Sequence, residues 1–405
     1  MYNKINVVKK KPIGEENVRK VLYMQWDCFG EEYICDSFRR AGFDVEMYSL
    51  PYGKSSMRHD ASFEEALEEH LGGGYEFVFS FNYFPAVALA CHRTGSRYVS
   101  WTYDSPFMYL YSKTIALETN LAFVFDQATV EALCAKGVET VSYLPMAAPT
   151  AFYDSFYSSA AVRRQFQSEV SFVGSLYTEE RQDLMRHLSG VSPATEQFLE
   201  TLIELQLQSY AVPVLERFLN PGIVAELQRV YPVVIEEDEM QSLEWMYANY
   251  FLARQVTARE RTRLLDTIGS RFQLKLYTPD PTPQFPHIDN RGPVDYCNTM
   301  PYVFKNTKIN LNISLKSIDT GIPLRAFDIM GCGGFLISDF QADFKGLFTP
   351  DEDYVFYTTP EDLYEKIAYY LEHEQERARI ARNGYEKVKA AHTYDHRVQE
   401  IIKML

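Results

Sequence analysis

The stretch Asn310–Phe340, NLNISLKSIDTGIPLRAFDIMGCGGFLISDF, decides the fold of this chain. Its first residues have the apolar character of a buried strand, and the turn at residues 319–321 leads to Pro323, which suits the start of a helix. The glycine-rich residues 331–334 end that helix and permit a tight turn into a second strand. Strand, helix and strand in this order indicate an α/β protein with a parallel sheet.

The start of this helix predicts a phosphate site. Free N–H groups and the helix dipole favour an anion there, and Arg325 in the first turn adds a bidentate donor for phosphate. Asp328 lies one turn further along the same face and offers a carboxylate to a ribose diol. We therefore expect a nucleoside diphosphate along this helix, with a surface ion pair between Arg325 and Asp328 as the alternative.

Strand-like and helical segments alternate on both sides of this stretch, which predicts two Rossmann-like domains. In the first, strands are expected at Val21–Gln25, Phe43–Ser49, Phe77–Phe81, Tyr98–Thr102, Leu121–Phe125 and Thr140–Tyr143. In the second, they are expected at Val170–Val173, Phe272–Tyr277, Lys308–Ile313, Gly334–Ser338 and Tyr354–Tyr357. Ligands of such folds bind beyond the carboxyl ends of the strands, so the site should lie in a cleft between the domains.

The helical segments help to predict where each domain begins and ends. The pattern predicts domains at residues 1–150 and 151–385, a helical insertion at about 190–263, and a C-terminal helix at 386–405 that packs back on the first domain. A helix is expected from Ser62, acting as its cap, and another from about Glu179. Asn383-Gly384 is expected to break the helical tail into two helices.

Composition limits the classes of partner. The chain has 405 residues, of which 40 are Lys or Arg and 55 are Asp or Glu, giving a formal net charge of −15. This charge opposes binding to nucleic acid or anionic lipid, whereas a phosphorylated small molecule needs only a local basic pocket. The polar segment Met1–Lys20 lacks the apolar run of a signal peptide, and the six cysteines form no CxxC pair. These features predict a cytoplasmic protein without a transmembrane segment; its oligomeric state stays open.

Further motifs carry a resemblance to a known family. They are ISLKS (Ile313–Ser317), GIPLRAFDIMGCGGFLISDF (Gly321–Phe340) and the strand Tyr354–Tyr357 with the helix Pro360–Leu371. With these, the chain resembles GT-B glycosyltransferases, and more specifically the CgeB-like, spore-maturation-type family of bacterial type. The first half resembles a DUF3880-like domain through SWTYDSP (Ser100–Pro106), FVFDQATVEALCAKG (Phe123–Gly137) and YLPMAA (Tyr143–Ala148), and FVGSLYTEER (Phe172–Arg181) resembles the opening of the second domain.

This resemblance implies transfer of a sugar from a nucleotide-diphosphate sugar to a glycan, protein or small-molecule acceptor. The first domain would face the acceptor, and the second would bind the donor. Two alternatives remain: a non-catalytic GT-B-shaped binding or scaffold protein, and another GT-B enzyme such as a nucleotide-sugar epimerase, which would need paired acids around the anomeric carbon.

The resemblance also assigns residues to the donor. Asp328 matches the second acid of the GT-B E-x7-E pattern, which binds ribose, but Thr320 stands in place of the first acid. The backbone N–H groups of Gly321 and Ile322 would then serve the sugar or phosphate, and Arg325 matches an arginine near the diphosphate.

Four residues outside this helix are also assigned by the resemblance. Gly174 and Ser175 match a glycine turn that approaches the phosphates, and Arg181 would assist unless it is simply an exposed arginine. Tyr296, in RGPVDY, lies where such folds hold the base, with core packing as the alternative.

The reaction requires a positive group for the leaving diphosphate and, if the configuration is inverted, a base for the acceptor hydroxyl. Arg325 and the helix dipole would neutralise the leaving group without a metal or cofactor, because the acidic run Asp351–Asp353 is expected to be a solvated turn. Asp104, just after the strand Tyr98–Thr102, is the expected base, with Asp27 second and a turn cap before Pro106 as the alternative for Asp104.

Overall fold

A computed structural model describes residues 19–53, 56–180, 182–209 and 212–405. The polar start of the chain and Arg181 lie outside the described residues. The described chain forms two six-stranded sheets in which every neighbouring pair of strands is parallel. The predicted α/β fold with two Rossmann-like domains is thereby confirmed.

The first sheet has the order β2-β1-β3-β4-β5-β6. Its strands are β1 Arg19–Gln25, β2 Phe43–Ser49, β3 Phe77–Phe81, β4 Tyr98–Thr102, β5 Asn120–Val124 and β6 Val141–Tyr143. All side chains of β3 and β4 are buried, as expected for central strands that are covered by helices on both faces. The strand order reverses between β1 and β3, so a crevice opens beyond their carboxyl ends.

Helices cover both faces of this sheet and continue into the connection to the second domain. They are α1 Glu31–Arg40, α2 Ala61–Leu71, α3 Pro85–Thr94, α4 Gln127–Ala135, α5 Thr150–Asp154 and α6 Ala160–Phe166, with short 3-10 turns at Met108–Tyr111 and Lys113–Ala116. The expected cap of α2 is wrong by two residues. Asp60, not Ser62, caps this helix, because its carboxylate accepts the backbone N–H of Phe63 at 3.1 Å.

The second sheet has the order β12-β11-β10-β7-β8-β9. Its strands are β7 Ser168–Val173, β8 Leu274–Tyr277, β9 Asp289–Asn290, β10 Thr307–Asn312, β11 Leu336–Asp339 and β12 Val355–Tyr357. Here the order reverses between β7 and β10, and the residues that follow these two strands are Gly174-Ser175 and Ile313-Ser314. Each sheet therefore has its own crevice at a switch in strand order.

A helical layer lies between β7 and β8 in the sequence. It contains α7 Pro193–Gln208, α8 Leu215–Phe218, α9 Pro221–Val230, α10 Leu243–Met246 and α11 Ala253–Arg271, with a π-helical segment at Tyr247–Leu252 that leads into α11. Among the described residues between β7 and α7, the helix expected from Glu179 does not form, and a 3-10 turn is present at Leu184–Leu188. Two helices complete the domain around β10: α12 Met300–Asn306 and α13 Leu324–Gly331.

The tail forms three helices, α14 Pro360–Glu372, α15 Glu374–Ala391 and α16 Tyr394–Met404. The expected break at Asn383-Gly384 is wrong, because α15 continues through it. Gly384 is needed there for close packing, since a Cβ atom would lie 2.4 Å from the carbonyl oxygen of Asp353. The last helix returns to the first domain, where Asp395 pairs with Arg40 of α1 at 2.6 Å. Among the described residues, no helix is both long and apolar enough to cross a bilayer.

The helical layer also reaches across to the first domain through residues 236–241, which we call the strap. Arg58 pairs with two strap carboxylates, Asp238 and Glu239, each at 2.7 Å. The backbone of the strap adds two bonds, from Met240 N to the carbonyl oxygen of Tyr111 at 3.0 Å and from Lys113 N to that of Asp238 at 2.7 Å. The strap therefore fixes the helical layer of the second domain against the first.

We predict that Arg58→Ala lowers the free energy of unfolding by about 3 kcal/mol, because it leaves a buried carboxylate unpaired. The side chain of Glu239 is 1% exposed and that of Arg58 only 13%. Arg39→Ala is the matched control, since Arg39 and its partner Asp36 are both more than half exposed. The control should change stability by about 0.5 kcal/mol or less in the same urea titration. Equal effects of the two changes would contradict this account.

Candidate functional site

Residues of both domains line one cleft of about 530 Å³. The first domain contributes residues 103–107, which follow β4. The second contributes residues 173–175 after β7, residues 312–315 after β10 and the start of α13. The cleft therefore brings together Asp104, Gly174, Ser175 and Arg325 of the predicted site.

Asp104 is held on the first-domain wall by a single buried residue. Asn82 follows β3 with a left-handed backbone (φ 58°), donates from Nδ2 to Asp104 Oδ2 at 2.7 Å and accepts the N–H of Tyr103 at 3.1 Å. Enclosure by the surrounding protein raises the pKa of Asp104, and the hydrogen bond from Asn82 opposes the rise. Asp104 is thus an oriented carboxylate with a strengthened affinity for a proton, which suits a general base.

Arg325 contributes a cation to the opposite wall. Its side chain is 27% exposed and pairs with Asp328 at 3.5 Å between Nη1 and Oδ2. The guanidinium also contacts the sulfur of Met300 and lies 5.6 Å from the ring centre of Phe304. These contacts orient the group at the cleft. The ion pair with Asp328 forms, although the carboxylate is buried and not at the surface, and phosphate binding by Arg325 stays a prediction.

Two further arginines line the cleft, and the sequence interpretation missed both. Arg254 and Arg261 are seven residues apart on α11, which places them on one helix face, and this spacing was the available signal. Arg261 is buried, where Nη1 donates to the carbonyl oxygen of Ser175 at 2.6 Å and Nε to that of Ile313 at 3.1 Å. It thereby joins the loop after β7 to the loop after β10.

The guanidinium of Arg254 makes fewer hydrogen bonds to the protein than that of Arg261. Its Nη1 donates to Gln182 Oε1 at 2.8 Å, and Nε has no hydrogen-bond partner among the described residues. The guanidinium lies 5.5 Å from the ring centre of Tyr177 and 5.2 Å from that of Tyr250, which fixes its plane. Arg254 therefore retains donors for an anion in the cleft.

The loop that carries Gly174 and Ser175 is organised by Asp280. This carboxylate accepts the backbone N–H groups of Leu176 at 2.8 Å and Thr178 at 2.8 Å, together with the Thr178 hydroxyl. Burial alone would raise the pKa of Asp280, but these hydrogen bonds lower it to about 2. The N–H groups that follow Ser175 thus bind Asp280 and do not start a helix at Glu179. Gly174 and Ser175 themselves line the cleft, and their approach to the phosphates stays a prediction.

The turn at Thr320 and Gly321 contacts the first domain instead of the cleft. The Thr320 hydroxyl donates to Asp126 Oδ1 at 3.0 Å, and the N–H of Asp319 donates to Asp126 Oδ2 at 2.8 Å. Gly321 is in close contact, because a Cβ atom would lie 2.8 Å from the ring of Phe125. The turn therefore fixes the domains together. Thr320, Gly321 and Ile322 are absent from the described lining of the cleft, and their binding of the donor stays a prediction.

Asp328 and Tyr296 are likewise buried and do not line the cleft. Asp328 Oδ1 accepts two hydroxyl groups, that of Tyr153 at 2.7 Å and that of Tyr296 at 2.9 Å. Burial raises the pKa of Asp328 to about 6, while Arg325 and the tyrosine hydroxyls oppose the rise. Tyr296 is packed in the core, which was the alternative expected for it. A ribose could reach Asp328 only if Tyr153 and Tyr296 moved. Arg181 lies outside the described residues.

The acidic run Asp351–Asp353 is only partly the solvated turn that was expected. Asp351 and Glu352 are exposed, but Asp353 is buried, accepts the N–H of Thr349 at 2.7 Å and pairs with Lys387 at 2.7 Å. Across the part of the chain that the structure describes, no group of three or more His, Cys, Asp or Glu residues is placed to hold a metal ion.

Comparisons with known proteins agree with this architecture. A family model described as glycosyl transferase-like matches residues 254–403, the segment that contains Arg254, Arg261 and Arg325. Over these residues the chain is similar to glycosyltransferases, and solved structures confirm the predicted GT-B fold. No curated protein matches the sequence.

Three solved structures share the fold over nearly their whole length. HepE from Anabaena, in complex with UDP and glucose, is 13% identical (TM-score 0.53, 95% of this chain, 99% of that one). Sucrose-phosphate synthase from Thermosynechococcus elongatus is 11% identical, with a TM-score of 0.54 over 95% of this chain and 98% of that one. A glycosyltransferase from Rickettsia africae is 9% identical, with a TM-score of 0.55 over 96% of this chain and 98% of that one.

We predict that Asp328→Asn changes how stability depends on pH. The native carboxyl, with a pKa of about 6, holds its proton more tightly than the unfolded one, with a pKa of about 3.9. Its stabilising contribution is therefore fully present below about pH 4 and is lost as pH rises through 6. The free energy of unfolding of the wild type, relative to that of the Asn variant, should fall between pH 4.5 and pH 7.5. Parallel urea-denaturation curves at both pH values would contradict this.

Proposed function

We propose that this protein transfers a glycosyl group from a nucleotide-diphosphate sugar to an acceptor hydroxyl, and that the diphosphate binds to Arg254 and Arg325. The observation that carries this proposal is the pairing of charges across one cleft. Arginines line the second-domain wall of a chain whose net charge is −15, and Asp104 faces them from the first domain. Each charge-assisted hydrogen bond to a phosphate oxygen would contribute about 1.5–3 kcal/mol.

The chemistry follows from this placement. The bond between the anomeric carbon and the diphosphate oxygen breaks, and its electron pair stays on the diphosphate, where Arg254 and Arg325 neutralise the growing charge. The acceptor oxygen forms the new bond to the anomeric carbon and gives its proton to Asp104. The arginines supply the positive charge that a metal ion would otherwise provide, so we propose a metal-independent, inverting reaction.

Several finer features belong to the same proposal. We infer that the chain is a CgeB-like, cytoplasmic enzyme with a DUF3880-like first domain, on the motifs described above. Its acceptor would be a glycan, a protein or a small molecule. UDP is the first nucleotide to test, because two of the structures with this fold, those of HepE, contain UDP-glucose or UDP with glucose.

The two alternatives differ in what they need. An epimerase requires two acids at the anomeric carbon, whereas the described lining of the cleft contains a single Asp or Glu residue, Asp104. A scaffold protein needs no turnover, and Thr320 in place of the first acid is what favours it. Hydrolysis of a nucleotide-sugar donor in the absence of acceptor separates the enzyme from the scaffold.

We predict that Arg325→Ala and Arg254→Ala each weaken the binding of UDP, GDP or TDP, whichever binds the wild type, by more than about tenfold. Isothermal titration calorimetry measures the effect, and a nucleotide at about 100 times Kd should stabilise the wild type by about 2.7 kcal/mol. Arg263→Ala is the matched control, because Arg263 is on α11 but pairs with Glu204 outside the cleft. Unchanged affinity in both cleft variants would remove this site from the proposal.

We predict that Asp104→Asn lowers donor turnover by about 10²-fold or more while nucleotide affinity stays within about twofold. The amide keeps the hydrogen bond to Asn82 but cannot take a proton. Wild-type turnover should also fall as the solution is acidified, since protonation of Asp104 removes the base. Release of nucleoside diphosphate measures both effects, and Asp27→Asn serves as the comparison. A larger loss in Asp27→Asn would transfer the role of base to that residue.

A further inference from the structure

A second cavity, of about 450 Å³, opens beyond the carboxyl ends of β1 and β2. Residues 25–33 form most of its wall, and Ser49 and Leu50 close one side. Cys297 reaches it from the second domain, where its sulfur lies 3.7 Å from the hydroxyl of Tyr33. The cavity therefore lies mainly on the first domain and meets the second domain at Cys297.

An aromatic wall lies at the boundary that this cavity shares with the cleft. Trp26 lines the cavity, and its ring centre lies 5.0 Å from that of Tyr52 and 6.4 Å from that of Tyr103, both of which line the cleft. The indole is fixed, because Nε1 donates to the carbonyl oxygen of Phe81 at 2.9 Å. Asp104 directly follows Tyr103, so a molecule seated against this wall would have one end beside the proposed base.

The charge of this cavity is opposite to that of the cleft. Asp27, Glu31 and Glu32 line it, and its described lining includes no Lys, Arg or His. Glu31 is partly desolvated, which raises its pKa, although the amide of Gln25 donates to it at 2.9 Å. The same region raises the pKa of Cys28 to about 12, mainly through burial and in part through the charges of Glu31, Asp27 and Asp104. Asp104 is thus within electrostatic range of this acidic wall.

Phe29 adds an exposed apolar surface to the cavity. Its side chain is 56% exposed, and its ring lies 4.7 Å from that of Tyr296 between centres. Exposed aromatic rings beside hydrogen-bond acceptors suit a molecule with one apolar face and many hydroxyl donors.

We propose that this cavity holds the acceptor, and that the acceptor is a saccharide without anionic groups. Its hydroxyl groups would donate to Asp27, Glu31 and Glu32, and a sugar ring would lie on Phe29. A phosphate or uronate group would instead meet three carboxylates, which disfavours it by like-charge repulsion. The opposed charges of the two cavities then direct the anionic donor to the arginines and the uncharged acceptor to the carboxylates. This inference rests on the proposed transfer reaction.

The test compares two oligosaccharides of equal length that differ in charge. The full chain is mixed with N-acetylated chitotetraose or with tetragalacturonate, and binding is followed by saturation-transfer NMR. We expect chitotetraose to bind and tetragalacturonate not to bind. Phe29→Ala should weaken chitotetraose binding by about tenfold, whereas Tyr157→Ala, which removes an aromatic ring that is 77% exposed elsewhere, should not change it.

Nucleotide binding, measured on the same samples, keeps the two proposals apart. A wild type that binds chitotetraose but no nucleotide would contradict the transfer reaction alone. Equal binding of tetragalacturonate, absence of chitotetraose binding, or an unchanged affinity in Phe29→Ala would each overturn the acceptor assignment. Glu31→Gln gives a second check: it should reduce the discrimination against tetragalacturonate while leaving nucleotide affinity unchanged.

Discussion

The carboxylate of Asp126 fixes the geometry on which the rest of the site depends. It is 1% exposed, and it caps α4 by accepting the N–H groups of Ala128 at 3.0 Å and Thr129 at 3.3 Å. The same group accepts the N–H of Asp319 at 2.8 Å, from the loop that leads to α13. One buried anion in the first domain therefore sets where α13, and with it Arg325, begins in the second. Reciprocal hydrogen bonds between Ser105 and Ser317 hold the neighbouring part of the same loop beside Asp104.

Because the domains are joined in this way, the cleft contains groups that neither domain could assemble alone. Asp104 follows a strand of the first sheet, and the arginines come from two helices of the second domain, α11 and α13. The strap supports the arrangement from the far side, since the helical layer that it anchors continues through the π-helical segment into α11, which carries Arg254 and Arg261. The helical layer is thus part of the site and not an appendage of the second domain.

The charge distribution explains how an acidic protein can bind an anionic donor. A net charge of −15 repels anions at a distance, but the arginines of the cleft act at close range, where solvent screening is weakest. The carboxylates Asp27, Glu31 and Glu32 line the second cavity and are absent from the described lining of the cleft. In the proposed reaction, the cleft would bind the anionic donor and the second cavity would bind the uncharged acceptor.

The sequence by itself determined the strands, the order of α/β units and the position of Arg325, because these depend on local apolar patterns and on the proline and glycines that flank α13. It also placed Asp104 correctly on a loop at the carboxyl end of β4. Only the tertiary structure decided which polar groups remain available to a ligand. Asp328, Tyr296 and Thr320 have the right types and spacing, yet their hydrogen bonds are made to Tyr153, Asp328 and Asp126, residues that are distant in sequence or in the other domain. Arg254, Asn82 and Asp280 also form hydrogen bonds with residues that are distant in the sequence. Such contacts cannot be predicted from the local sequence pattern.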